Sequence, residues 1–312
     1  MTSEELPSMS VVVPVLNGER TLRSCLVSLL ATDYPAGRVE VVVVDNGSTD
    51  RTAEIARAFP VRYVLEPRRG ASCARNRGIA ESTGEILAFT DADCVVSRGW
   101  LRELATGFAA GPQVGGVAGE ILAFPPKTPA ERYMATTHPN WQQRALGGGW
   151  PFAATANVAY RRSTFSRIGL FDPRLISGED KDFGWRFFGT GGMELRYNPR
   201  AVIFHRHHTT VRAFVRQHIG WSYGNALLHA KYDLPWGARD ELRKYGDVLS
   251  AAGHLVAASA RYGIRRGEKM DVYFRFFDLL RTLTYRAGAL RWMVTRRSLR
   301  AKFADGDAPG AG

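Results

Sequence analysis

Over the first hundred positions, runs of consecutive apolar residues alternate with stretches of helical period. "SVVVPV", "VEVVVVD", "VRYVLE" and "EILAFTDAD" read as strands, and "ERTLRSCLVSLLATD", "STDRTAEIARAF" and "ASCARNRGIAEST" read as the helices between them. Strands as uniformly apolar as VEVVVVD need cover on both faces. The pattern therefore predicts an α/β fold, a mostly parallel sheet with helices on both faces and its ligand at the carboxyl ends of the strands. "NGSTD", "RRGAS" and "DAD" all fall at those ends. Ser48 or Thr49, and Ser72, stand where they would cap the helices that follow. No G-x-G-x-x-G follows the first strand; "PVLNGE" stands there, which argues against a dinucleotide-binding domain.

From Gln113 to about Phe204 the period loosens into strand, helix and a glycine-rich loop, "GGGWPFAATANVAYRR", and then "GEDKDFGWRFF". Beyond "VIFHRHHTT" the chain reads as helical almost to its end. Neither an internal repeat nor a long linker interrupts it.

Charge changes this picture mainly at the C-terminal end. The chain carries 42 Lys and Arg against 30 Asp and Glu, a net +12. Between Arg261 and Phe303 there are twelve basic and three acidic residues, so 12 − 3 = +9 of that excess lies there. An acidic partner is expected: a nucleotide phosphate or an anionic membrane surface, and not nucleic acid, for which no recognition module is present. Val272, Phe276, Leu279, Leu280, Leu283, Ala287, Leu290 and Val294 form one helical stripe flanked by arginines. Such a helix either lies in a membrane interface or packs on the rest of the protein. Three scattered cysteines fit neither a disulfide framework nor a zinc site, and "MTSEELPSMS" has no signal-peptide pattern. The expected location is cytoplasmic, with any membrane contact peripheral at the inner face of the cytoplasmic membrane.

Three acidic or histidine-bearing segments carry candidate chemistry. Asp91 and Asp93 are one residue apart, and in an extended chain their carboxylates project to the same side, where they either end a strand in a polar turn or meet one cation. Glu179, Asp180 and Asp182 cluster where a helix begins, as a catalytic acid group or as favourable partners of the helix dipole. His205 and His207 follow a late strand.

"SVVVPVLNGERTLRSCLVSLL", "VEVVVVDNGSTDRT", "GASCARNRGIAESTGEILAFTDADC" and "ISGEDKDFGWR", in that order, resemble family-2 inverting glycosyltransferases of the GT-A fold, over roughly residues 9 to 225. The resemblance implies a GT-A catalytic domain over residues 1–230, with a nucleotide-binding half at 1–110 and an acceptor half at 111–230, followed by a basic helical extension at 231–312. It implies transfer of a single sugar from a nucleotide-diphosphate sugar to a hydroxyl acceptor, a glycan or a lipid-linked one, with a divalent cation, Mg²⁺ or Mn²⁺. Pro14, Val15, Asp45, Asn46, Arg75 and Asn76 would line the nucleotide. Asp91 and Asp93 match the DxD position, with Asp93 the more direct metal ligand and His205 the first candidate to complete the site. Asp180 matches the general base, with Glu179 orienting the acceptor and Asp182 as alternate. Two departures stand out. Asn46 occupies a slot more often acidic, so uracil recognition does not follow; and "QHIGW" has Gly220 where processive synthases carry arginine. A nucleotidyltransferase would open with a basic phosphate loop, which "PVLNGE" is not, and a binding protein without turnover would need no base.

Overall fold

The computed structural model describes residues 6–137, 139–234 and 238–304. In chain order its elements are β1 (Met9–Val15), α1 (Leu22–Leu30), β2 (Val39–Asp45), α2 (Thr52–Arg57), β3 (Arg62–Leu65), α3 (Ala71–Glu81), β4 (Ile86–Phe89), β5 (Cys94–Val96), α4 (Trp100–Phe108) and β6 (Val114–Ala123). There follow α5 (Pro129–Thr137), α6 (Trp141–Leu146), β7 (Val158–Arg161), α7 (Arg162–Ile168), α8 (Glu179–Thr190), β8 (Glu194–His205), α9 (Val211–Lys231), α10 (Ala238–Gly263) and α11 (Lys269–Ala304). Residues 6–124 and 139–206 form one compact unit, and 125–137, 207–234 and 238–304 form a second.

The first unit is built on one eight-stranded sheet in the order β3-β2-β1-β4-β7-β6-β8-β5. β3, β2, β1 and β4 are mutually parallel. Beyond β4 the sheet is mixed: β7 runs antiparallel to both β4 and β6, β8 is parallel to β6, and β5 closes the edge antiparallel to β8.

Alternation along the strands explains why both faces are covered. Val11, Val13, Val41 and Val43 point into a core shared with Leu22, Leu26, Trp100 and Leu104. Their neighbours Val12, Val42 and Val44 point the other way, against Ala74, Leu87, Phe89 and Phe183. The α/β sheet with helices on both sides is thus as the apolar runs predicted. The helix starts differ from expectation. Asp50 accepts from the Thr52 amide (3.0 Å) at the start of α2, leaving Ser48 and Thr49 to bind the loop after β1. Ser72 lies inside α3 and donates to the Leu175 carbonyl (3.0 Å).

In the second unit α5, α9 and α11 share a core centred on Tyr133. Its ring stacks on Phe277 (5.4 Å) and meets Phe214 and Phe274 edge-on, and its hydroxyl donates to Asp278 (2.7 Å). Phe276 and Leu280 pack against this cluster, so the first half of the apolar stripe in α11 is used internally. Leu283, Leu290 and Val294, further along the same stripe, are exposed. A methyl on Gly288 would overlap the Ser222 hydroxyl oxygen, which shows how closely α9 and α11 approach. Trp221 packs beside the His218 ring in this unit (4.9 Å). Among the described residues no helix is long and apolar enough to cross a membrane.

Candidate active site

At the carboxyl ends of β1 and β2 two loops are tied into one surface. Asn17, held at φ 54°, donates its amide to Ser48 Oγ (2.8 Å) and accepts from the Thr49 amide through Oδ1 (2.9 Å). The Gly18 amide donates to Thr52 Oγ1 (2.8 Å). Val15 contributes its carbonyl, which accepts from the Asn46 amide (2.8 Å), and Pro14 sits in register with Val44. Asp45 is buried; Oδ1 accepts from the Ser48 amide (2.8 Å) and Oδ2 from the Tyr63 hydroxyl (2.9 Å).

Asn46 holds a third loop. Its Nδ2 donates to the Glu66 and Arg68 carbonyls (3.1 and 2.7 Å), and its Oδ1 accepts from the Gly70 amide (2.8 Å). A carboxylate cannot make this set, since two of the three bonds need a donor. The departure from the commoner aspartate therefore has a local structural cause. We expect Asn46→Asp to lower stability by about 2–4 kcal/mol, because the Glu66 and Arg68 carbonyls lose their donor and face negative charge. Thermal melts of the variant at neutral pH check this, and an unchanged melting temperature would contradict it. Asn46 also fixes the strand of chain that bears Arg69, whose guanidinium carbon lies 3.8 Å from where a Gly47 methyl would stand.

Asp91 and Asp93 do not lie on a strand. They flank buried Ala92 in the turn between β4 and β5, so extended-chain alternation no longer aligns them. Asp91 turns to Arg75, with Oδ1 accepting from Nη2 at 3.0 Å. Asp93 turns the other way, towards His205: Nε2 and Oδ1 are 3.5 Å apart. The pairing of β5 with β8 brings this about, since Cys94 is in direct register with His205, and the Asp93 carbonyl accepts from the Arg206 amide (3.1 Å). Asp93, His205 and Cys94 offer ligand atoms within 4.8 Å of one another. Of these, the carboxylate and the imidazole suit a hard divalent cation. The Cys94 thiol is poorly matched, because burial, then Asp93 and Asp91, push its pKa well above the ordinary value and keep it protonated. His207 belongs to the second unit.

Arg75 joins this turn to the start of α8. Buried, it donates from Nη1 to Glu179 Oε1 (2.6 Å) as well as to Asp91. Burial alone would lower its pKa; the charges of Asp91, Glu179 and Asp180 outweigh that and raise it. Asp180, next along, has its carboxyl raised to about 6, first by burial and then by the neighbouring Glu179 charge. Lys181 is displaced downward by burial, with Asp180 opposing.

Two expected site residues are turned elsewhere. Asp182 has no solvent exposure and pairs with Arg186 (2.9 Å), which also donates to the Ile168 and Leu170 carbonyls (2.6 and 2.9 Å). Its carboxylate anchors the segment after α7, and the i,i+4 spacing to Arg186 is the sequence signal for that role. Asn76 spends both ends of its amide on Phe171, donating to the carbonyl (2.7 Å) and accepting from the amide (3.0 Å). The Arg75 bridge is the main feature that local sequence reading missed, because its partners lie 16 and 104 residues away.

A partly parallel sheet with its acidic turn leading to a short edge strand, backed by helices on both faces, is the GT-A architecture. The model of the glycosyl transferase family 2 family matches residues 10–169, and the chain belongs to that family. Among curated relatives, glycosyltransferase AglE of Haloferax volcanii is 38% identical over 188 residues, covering 58% of this chain and 60% of its own length. Probable glycosyltransferase YdaM of Bacillus subtilis is 29% identical over 244 residues, 73% of this chain and 58% of that protein. The chain thus spans about three fifths of these relatives. Among solved structures, mannosyltransferase PcManGT of Pyrobaculum calidifontis, in complex with GDP-Man and Mn²⁺, superposes with a TM-score of 0.60 at 22% identity, covering 91% of this chain and 88% of its own. GalNAc-T7 with UDP, GalNAc and Mn²⁺ gives 0.53 at 21% identity, over 78% of this chain and 54% of its own.

Proposed function

We propose that the protein is a metal-dependent inverting glycosyltransferase that moves one sugar from a nucleotide-diphosphate sugar to a hydroxyl acceptor. The observation that supports this most is the buried Arg75 bridge. It ties the carboxylate of Asp91, at the metal-competent turn, to Glu179, adjacent to the acid whose pKa is raised to about 6. A divalent cation held by Asp93 and His205 would stabilise the negative charge that develops on the departing diphosphate. The family membership and the GDP-Man and UDP ligands of the solved neighbours favour that donor class.

The chain's own groups divide the remaining work. The tied loops after β1 and β2, with Asp45 and the Val15 backbone, shape the nucleotide pocket. Asp180 takes the proton of the attacking hydroxyl, and a carboxyl titrating near 6 is ionised at neutral pH yet basic enough to accept it. The Arg75–Glu179 pair ties down the start of α8, on which Asp180 is the next residue. Inversion follows from a single displacement with base and leaving group on opposite sides of the sugar.

Transfer to a lipid-linked acceptor at the inner membrane face fits the basic tail. Leu249, Val256 and Ile264 are exposed on and just beyond α10, close in sequence to Arg261, Arg265 and Arg266, a combination suited to an anionic lipid surface.

Asp93→Ala should remove the metal-enhanced part of nucleoside diphosphate binding while leaving the fold intact, since its carboxylate is partly exposed in a turn. Calorimetric titration with GDP and UDP, with Mn²⁺ and with chelator, checks this. Retention of the full metal enhancement in the variant would remove Asp93 from the site.

A further inference from the structure

Where the segment after α6 meets α8, the first unit carries an aromatic pair that the transfer chemistry does not use. Trp150 is 58% exposed, although it follows three glycines and precedes a tightly held segment. Two residues on, Phe152 is buried and its amide donates to the Ala145 carbonyl (3.2 Å); the Ala154 amide donates to Gln142 Oε1 (2.9 Å). Trp150 is thus displayed from a fixed base. Its ring lies 4.7 Å from that of Trp185 at 47°, and Trp185 Nε1 donates to the Trp150 carbonyl (3.4 Å).

The pair is held against α8 by a missing side chain. A methyl on Gly184 would come 2.6 Å from Phe152 Cβ, so only glycine lets the 150–152 segment settle on this helix. Trp185 is one helical turn beyond Lys181, whose ammonium lies 5.6 Å over the Phe152 ring, and it shares α8 with Asp180, about 7.5 Å along the axis and about 140° round it. A methyl on Gly149 would meet nothing within 4 Å, so nothing packs on the chain immediately before Trp150 at that point.

We propose that Trp150 and Trp185 form a stacking platform for a pyranose ring of the acceptor, which makes the acceptor a glycan or glycoside and not a bare alcohol. This rests on the sugar-transfer reading of the same site. A pyranose presents an apolar C–H face and a hydroxyl rim. The indole faces take the former, and the Lys181 ammonium, one helical turn before Trp185 and 5.6 Å over the Phe152 ring, is a donor for the latter.

Saturation-transfer NMR tests this with octyl glucoside, galactoside and mannoside as probes, with octanol as control, in the presence of GDP or UDP and Mg²⁺. The platform predicts transfer to the ring C–H protons of at least one glycoside. Trp150→Ala and Trp185→Ala should each weaken that binding about tenfold, the scale of one aromatic contact, with Trp185→Phe restoring most of it. Nucleotide signals in the same samples report separately on the donor site. If no nucleotide binds, the sugar-transfer reading fails and the glycoside signal alone decides the platform. If glycoside signals are unaltered in both alanine variants, or confined to the octyl chain, or absent for all three sugars, the platform is overturned.

Discussion

Asp180→Asn is expected to reduce turnover by about 10²–10⁴-fold while leaving nucleotide affinity nearly unchanged, the range for loss of a general base. The substitution keeps shape and polarity and removes only the ability to accept a proton. Because burial and Glu179 raise the Asp180 carboxyl to about 6, the wild-type rate should climb as pH passes through 6, where the base becomes ionised, and fall about tenfold per unit below it. The variant should lack that limb. The same displacement sets a stability effect of opposite sense. A carboxyl whose folded pKa lies above its unfolded value of 3.8 favours the folded state at low pH, and that contribution disappears as pH rises from 3.8 through 6. Asp180→Asn, neutral throughout, should therefore be more stable at pH 7 by up to about 3 kcal/mol. A variant both near wild-type in rate and unaltered in melting would show that another group is the base.

Arg75→Ala carries the second large effect, and it acts on fold and site together. It strands the largely buried Glu179 carboxylate and frees Asp91, a loss of about 3–5 kcal/mol for breaking a buried pair from one side. Arg75 also pulls the Asp180 pKa down, so any remaining activity should show its acidic limb at higher pH than 6. Adding Glu179→Gln should recover part of the lost stability, since the stranded charge is then gone, without restoring activity. Denaturant unfolding of the single and double variants measures the coupling; additive losses would contradict the bridge.

The sheet was legible because both faces of β1 and β2 are buried, so consecutive valines record the strands directly. The edge strand β5 was not: three residues after a polar turn have no period of their own, and pairing with β8 alone defines them. That hidden strand changes the reading of Asp91 and Asp93. Local geometry suggests two carboxylates side by side, whereas the turn sends one to Arg75 and the other to His205. Near Glu179, composition gives three acids in one helical turn, and only the neighbouring elements decide their fates. Glu179 meets an arginine from α3, Asp180 is desolvated beside it, and Asp182 is neutralised by Arg186. Asn46 is the opposite case. The substitution is plain in the sequence, yet its cause lies in carbonyls 20 and 22 residues away.

The most direct test of the account is the melting temperature of the wild-type protein with GDP-, UDP- and dTDP-sugars, each with Mn²⁺ and with chelator. A donor at a hundredfold excess over its Kd should stabilise the fold by about 2.7 kcal/mol with Mn²⁺ present, and by clearly less without it. Stabilisation by none of the nucleotide-sugars, or an equal shift with and without the metal, would contradict a metal-dependent sugar-nucleotide site.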